Sequence, residues 1–469
     1  MYFVLIALTM SPLSAEQVRH RDASAIFARL STQTASTLGA AGDPGAAIVV
    51  ADRDGVVACR GFGVDFSGRP VTCDSPFAIA SLTKSVTALA VRRLAAERRL
   101  ALDEPVARYL PWFRPQDGDR ITVRDLLEQG SGLSESARRA WLGSRDDDAD
   151  VLRRHVEALN RELLLWPPGS RFEYSNANYD VLGILVAAAS GVGYEEYVRT
   201  RVLAPLRILR VSFSCKSGAR GYSRWFSVPV RGPAPPNFCA DAPAGGLILS
   251  ARQYGRYLAA HLDEGRTWSR VVLSAAGWRD VHRSAPSFPY AMGWFDIVRP
   301  DGARELRHTG SAPEFQTFAM LLPSRGIGAA RFANAGESPD FGRRQPIERN
   351  FEAILLGFPE QRIPWFPADL PVRLAALFGL VSAVATLAQF LLVRNATLRT
   401  ATIAILLRVA ILAALAIFLL PQWGWSPATQ FAFAPDLSAL LTTSAGVLGV
   451  DVICLVLWLR KNFSNNPFL

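Results

Sequence analysis

The amino-acid sequence predicts an α+β domain followed by a three-helix transmembrane region. Three observations carry that prediction. Strand-like patterns stand towards both ends of the first 365 residues, helical periodicity fills the stretch between them, and the chain turns strongly apolar after "FPEQRIPWFPADLP". Strands and helices segregated along a chain point to α+β and not to an alternating parallel sheet. With 469 residues the chain is long enough for a substantial core.

In chain order, "MYFVLIALTMSPLSA" has an apolar core followed by small residues, the pattern of a signal peptide cleaved after Ala15. It lacks a charged n-region, so an uncleaved anchor is the alternative. The exported domain then covers residues 16–365. Residues 45–64, "GAAIVVADRDGVVACRGFGV", alternate as a hairpin turning at Asp-Gly. From Leu82, the apolar residues Val86, Leu89, Ala90 and Leu94 recur at helical spacing, to about Arg98. Helical patterns also cover about 123–129, 148–164, 178–190, 194–202 and 251–263. "FQTFAMLLPSRGIGAARFAN" (315–334) reads as two strands joined by a Pro-Ser-Arg-Gly turn.

Residues 366–469 form the membrane region, with spans at about 372–393, 401–420 and 437–459. Each is near the ~20 residues that cross a bilayer. Arg394 and Arg399 mark the first link and Arg460-Lys461 the tail, whereas the second link has no Lys or Arg. The positive-inside rule puts that first link and the C-terminus in the cytoplasm. The rest of the chain then lies on the periplasmic side of a bacterial cytoplasmic membrane, in agreement with the signal peptide. Arg408 and Asp451 both lie about 11 Å below the cytoplasmic surface, at ~1.5 Å per residue, and are expected to face each other. Separate snorkelling to the headgroups is the alternative.

The formal charge is +10, but the arginines are scattered and no nucleic-acid motif accompanies them. Nucleic acid is not an expected partner; membrane lipid is, and protein partners are left open. Of five cysteines, Cys59, Cys73, Cys215 and Cys239 lie in the exported part and Cys454 in an apolar span. Nearness in sequence predicts Cys59–Cys73 and Cys215–Cys239 disulfides. No Cys or His spacing suggests zinc, so neither metal nor cofactor is expected.

Only three residues are lysine (Lys84, Lys216, Lys461), so 48 of the 51 basic residues are arginine. Lys84 lies three residues after a serine in "FAIASLTKSV". At that spacing on a helix the side chains share a face, and a lysine, unlike an arginine, can give up its proton. A serine at the helix start also meets free N–H groups that stabilise an anion. Ser-x-x-Lys alone is weak. Tyr174-Ser175-Asn176, in a loop entering a helix, and His308-Thr309-Gly310, at a strand pair, strengthen it.

Together these motifs resemble the class C β-lactamase and D,D-peptidase superfamily of serine penicillin-recognising enzymes, with its esterase and amidase relatives. Ser-x-x-Lys, Tyr-x-Asn and a His-Thr-Gly variant of Lys-Thr-Gly occur in the family's order. "LALDEPVARYLPWF", "ITVRDLL", "PAGGLILSARQYGRYL" and "YAMGWF" also match, over about residues 35–355. The resemblance implies an antiparallel sheet flanked by helices, with a helical subdomain. It implies that Ser81 forms an acyl-enzyme while Lys84 and Tyr174 share its proton, the nearby positive charge favouring a phenolate. Asn176 would bond Lys84 and the substrate amide. The backbone N–H groups of Ser81 and Ser311 would hold the oxyanion, and His308 would donate to the substrate or to Tyr174. Glycine at 310 would keep the strand edge open to a ligand.

Two departures stand out. "LLEQGSGL" carries Gln129-Gly130 where many relatives have His-Thr. His308 replaces a lysine that would attract a substrate carboxylate, which tilts the expectation from β-lactam towards ester, amide or peptide. The expected protein is a membrane-tethered extracytoplasmic serine hydrolase acting on a small-molecule or peptide substrate. A penicillin-binding or ligand-sensing receptor without efficient turnover is the alternative; no Gly-x-Ser-x-Gly elbow supports a Ser-His-Asp triad.

Overall fold

A computed structural model of the chain describes residues 15–135, 150–213, 219–225, 228–232, 241–286, 288–300, 302–336 and 344–361, with a few isolated positions between 377 and 453. Helix α1 (Ala15–Ala41) leads into the hairpin β1 (Gly45–Asp52) and β2 (Val56–Gly63). The Asp52 carboxylate makes the turn by accepting from the backbone N–H groups of Asp54 and Gly55 at 2.9 and 3.2 Å. After β3 (Pro76–Ala78), a 3-10 turn over Ala80–Leu82 opens α2 (Thr83–Ala96). Helices α3 (Val123–Leu127), α4 (Val151–Ala158), α5 (Asn176–Ser190) and α6 (Tyr194–Tyr197) follow. Next come β4 (Ser212–Phe213), β5 (Ser223–Trp225), β6 (Val228–Val230), the single turn α7 (Ala242–Gly245), β7 (Leu247–Ser250), α8 (Ala251–Asp263) and α9 (Ala275–Val281). Strands β8 (Tyr290–Ala291), β9 (Trp294–Val298), β10 (Arg304–Ala312), β11 (Phe315–Leu322) and β12 (Ile327–Ala333) precede α10 (Arg344–Leu356).

Seven of these strands form one antiparallel sheet in the order β2-β1-β12-β11-β10-β9-β8. Strand β1 pairs with β12, Ala46 opposite Ala333, so strands from opposite ends of the domain meet inside the sheet. Every residue of β1, β11 and β12 is buried, because helices cover both faces. Ile48 and Val50 join Leu30 of α1 and Phe351 of α10 in one core, while Ala47 and Val49 join Leu89 of α2 and Leu258 of α8 in the other. Each of the larger of these side chains contributes about 1.5–3 kcal/mol on burial. A smaller sheet, β3-β7-β4, ties the segment before Ser81 to the chain entering α8.

The expected hairpin, the strand pair at 315–334 and the helix at 251–263 are all present. Helix α1 and the pair β8–β9 had no counterpart in the sequence reading. The stretch 194–202 is less regular than expected: α6 has four residues and continues as a π turn over Val198–Leu203. Cys59 and Cys73 form the expected disulfide, with Cα atoms 5.9 Å apart. The signal segment up to residue 14, Cys215, Cys239, the Arg408–Asp451 pair and nearly all of the three spans lie outside the described residues. Among the described residues no single helix is long and apolar enough to cross a membrane.

Candidate active site

Ser81 stands in the 3-10 turn that precedes α2, and the α-helix proper begins at Thr83, one residue after the Leu82 start the sequence suggested. The spacing still works, since a 3-10 turn also brings residues three apart to the same side. The turn is pinned from two sheets. Ile79 N–H donates to Leu247 O of β7 at 2.9 Å, and Thr317 Oγ1 of β11 donates to Ile79 O at 2.9 Å. Directly after these anchors on Ile79, Ala80 adopts φ +49°. That left-handed conformation costs an alanine about 1–3 kcal/mol and persists only when its surroundings enforce it. Gly310 enforces it. A Cβ there would lie 2.1 Å from Thr317 Oγ1, 2.5 Å from Ile79 O and 3.1 Å from Ala80 Cβ. The glycine therefore makes room for the serine's own turn.

Lys84 is fully buried in α2. Its Nζ contacts Ser81 Oγ at 3.1 Å and donates to Ala244 O at 2.8 Å and to Asn176 Oδ1. An ammonium has three donors, and here three neutral oxygens meet them. Neither Ala244 O nor Asn176 Oδ1 can donate. Two positions on the lysine nitrogen are thus committed to N–H bonds, and the third points at the serine. In the ammonium form that position gives Ser81 a proton to lean on; in the amine form it offers a lone pair that can take the serine's proton. Gly293 (φ +99°) permits close packing behind Lys84, since a Cβ there would come 2.4 Å from Ser85 Cα.

Tyr174 presents its ring face to Lys84, with Nζ 5.1 Å from the centroid. Its ring also packs against Tyr290, Phe295 and His308. The turn carrying Tyr174 and Asn176 is fixed by the loop after α3. Gln129, fully buried at φ +63°, accepts at Oε1 from Ser175 N–H at 3.0 Å and from Asn178 Nδ2 at 2.5 Å. The departure from the family pattern at Gln129 thus serves to anchor the Tyr-x-Asn turn. Glu135 accepts from Asn176 N–H at 2.7 Å and from Asn176 Nδ2 at 2.8 Å.

Strand β9 pairs with β10 only as far as Arg307, so His308, Thr309, Gly310 and Ser311 run on beyond it beside the serine turn. His308 is buried. Its Nδ1 donates to Thr309 O at 2.6 Å, because a carbonyl can only accept, and its Nε2 lies 2.9 Å from Tyr290 Oη. Burial, reinforced by Tyr179 and Tyr174, pushes the Tyr290 phenol well above its ordinary value, so this hydroxyl keeps its proton. Among the described contacts, the hydroxyl that meets His308 is Tyr290's, while the Tyr174 ring packs with its centroid 6.0 Å away. Among the described residues no group of three or more His, Cys, Asp or Glu side chains could hold a metal ion.

The structure thus brings Ser81, Lys84, Tyr174 and Asn176 together, with His308 and Gly310 beside them. Sequence reasoning missed Ala244 and Tyr290, although both lie in segments that match the family, and it missed Glu135, which carries no local signal. A family model described as Beta-lactamase matches residues 32–353. Protein flp of Staphylococcus aureus (strain MW2) is 28% identical over 305 residues, 62% of this chain and 59% of that protein. Esterase EstB of Burkholderia gladioli is 37% identical over 204 residues, 39% of this chain and 51% of the esterase. The chain thus spans about six-tenths of the length of the first of these curated relatives and about half of the second. Among solved structures, the octameric penicillin-binding protein homologue from Pyrococcus abyssi superposes with a TM-score of 0.58 at 25% identity, covering 75% of this chain and 81% of that one.

Proposed function

The chain belongs to the Beta-lactamase family, and on that premise we propose that it is a membrane-tethered serine hydrolase that works through an acyl-enzyme outside the cytoplasmic membrane. The observation that carries the proposal is the buried Lys84 nitrogen, with two positions spent on carbonyl-type oxygens and the third 3.1 Å from Ser81 Oγ. Ser81 Oγ attacks the substrate carbonyl carbon, and the hydroxyl proton passes to the lysine–tyrosine pair as the new C–O bond forms. The carbonyl electrons move onto oxygen, where the N–H groups of Ser81 and Ser311 receive the charge. Collapse restores the carbonyl and expels an alcohol or amine, which takes the proton. Water repeats the sequence on the acyl-serine, releases the carboxylic acid and returns the proton to Ser81. Asn176 holds Lys84 and the substrate amide.

The substrate is an ester, amide or peptide in preference to a β-lactam. His308 supports this, because it stands where the family's Lys-Thr-Gly motif has a lysine and both its ring nitrogens are engaged, so a substrate carboxylate meets no permanent cation there. The name of the esterase relative points the same way. Placement outside the cytoplasmic membrane is supported by the signal-like N-terminus, the arginines flanking the apolar spans and the Cys59–Cys73 disulfide, a bond that persists in oxidising compartments.

The test uses the full chain in detergent with a fluorescent fluorophosphonate. The expected result is one covalent label on Ser81, lost in Ser81→Ala; labelling that survives this substitution refutes the proposal. Turnover of p-nitrophenyl esters, D-amino-acid amides and nitrocefin then ranks the substrates. Labelling without turnover of any of them would indicate a receptor instead.

A further inference from the structure

The Asn176 side chain has two ends of nearly equal shape and opposite chemistry. Its oxygen faces Lys84 Nζ and its nitrogen faces Glu135 Oε1 at 2.8 Å, while Glu135 Oε2 takes the Asn176 backbone N–H at 2.7 Å. An ionised carboxylate only accepts, so it admits the NH2 end of the amide and rejects the oxygen. We propose that Glu135 is a positioning residue for acylation, locking the Asn176 amide so that only its oxygen meets Lys84 and the remaining position of the lysine nitrogen faces Ser81.

The argument is one of direction. Ala244 O and Asn176 Oδ1 together fix two of the three open positions on the lysine nitrogen, which leaves the third on the serine hydroxyl. Flipping the amide by half a turn would set an NH2 donor against that nitrogen. A lysine amine would then turn its lone pair towards the amide and away from Ser81, and a lysine ammonium would lose an acceptor. Little in the shape of the amide opposes this flip; the carboxylate does. The two hydrogen bonds described for Glu135 go to the Asn176 amide nitrogen and backbone N–H, so its effect on Lys84 runs through Asn176. The inference rests on the acyl-transfer reading of the site and names the residue that keeps its proton route aligned.

Two variants of the full chain separate chemistry from shape. Glu135→Gln is isosteric but presents a donor where an acceptor is required. Glu135→Asp is shorter but keeps an acceptor-only carboxylate. Time courses of fluorophosphonate labelling at several concentrations separate the limiting labelling rate from the half-saturating concentration. The expected result for Glu135→Gln is a limiting rate about 10–100-fold lower, a fraction of what a general base supplies. Half-saturation should stay within about twofold and the melting temperature within a few degrees. Glu135→Asp should label faster than Glu135→Gln. A Gln variant that labels as fast as the parent, or faster than the Asp variant, overturns the inference, as does an effect confined to half-saturation or accompanied by a large fall in melting temperature. If only one variant accumulates, its limiting rate against the parent decides: Gln near the parent rate, or Asp slowed by 100-fold or more, overturns the inference. A parent protein that does not label at Ser81 instead removes the acyl-transfer reading itself, so the two failures are distinct.

Discussion

Gly310 and Ser81 lie on different elements, yet the glycine decides where the serine stands. An added methyl group would come 2.5 Å from the Ile79 carbonyl oxygen, and the turn that carries Ala80 at φ +49° would have to move. Gly310→Ala is therefore expected to cost about 1–3 kcal/mol through overpacking. It should also slow fluorophosphonate labelling of Ser81 at least tenfold, as shown by melting curves and labelling time courses on the same preparation. A variant that melts lower but labels at the parent rate would show that the turn adapts without disturbing the nucleophile. At this scale the sequence was readable where chemistry is local. Ser81 and Lys84 are three residues apart, and the scarcity of lysine singled one of them out. The acceptors that orient Lys84 were not readable, because Asn176 and Ala244 lie 92 and 160 residues further along the chain. Nothing local marks a backbone carbonyl at residue 244 as a lysine's partner.

Among the elements, the loop between α3 and residue 135 does more than connect. Gln129 and Glu135 both grip the start of α5, so one loop sets the Tyr174–Asn176 turn from two sides. The junction of α8 and α9 holds a second polar arrangement away from the serine. His261 Nδ1 lies 2.8 Å from His282 Nε2, His282 lies 3.7 Å from Glu264, and His261 packs among Tyr257, Trp278 and Trp294. Burial, with His282 second, pushes His261 well below the ordinary histidine value of 6.5. As pH falls, the unfolded chain binds a proton there that the native state does not, so unfolding takes up a proton and stability drops. The contribution is fully present above 6.5 and is lost progressively below it, at up to about 1.4 kcal/mol per pH unit. Melting temperature is expected to fall between pH 7 and pH 5.5, with a smaller slope in His261→Gln. An equal slope in that variant would assign the acid sensitivity to other groups. Helix periodicity found α8 in the sequence, because one face must be apolar to bury. It gave no sign that the two histidines meet, since that depends on how α9 returns.

For the whole molecule, the sheet explains why distant motifs form one site. β1 pairs with β12, and β10 runs beside the turn that follows β3. Residues from the first and last thirds of the domain thus meet at the turn carrying Ser81, while Asn176 and Ala244 from the middle reach Lys84. The proposed membrane insertion and orientation have their own test. Alkaline phosphatase joined after Gln361 is expected to be active, because that enzyme needs an oxidising compartment, whereas the same fusion after Arg399 should be inactive. Two active fusions would remove the first span. By itself the sequence determined the α+β order of elements, the apolar C-terminal region, the Cys59–Cys73 pairing and the three motifs, since hydrophobic period, spacing and residue chemistry are local properties. Only the tertiary structure decided that Gly310 makes room for the nucleophile's turn, that His308 pairs with Tyr290, and that Glu135 holds the Asn176 amide. Those are contacts between segments far apart in sequence, and they exist only once burial on both faces of the sheet has brought the segments together.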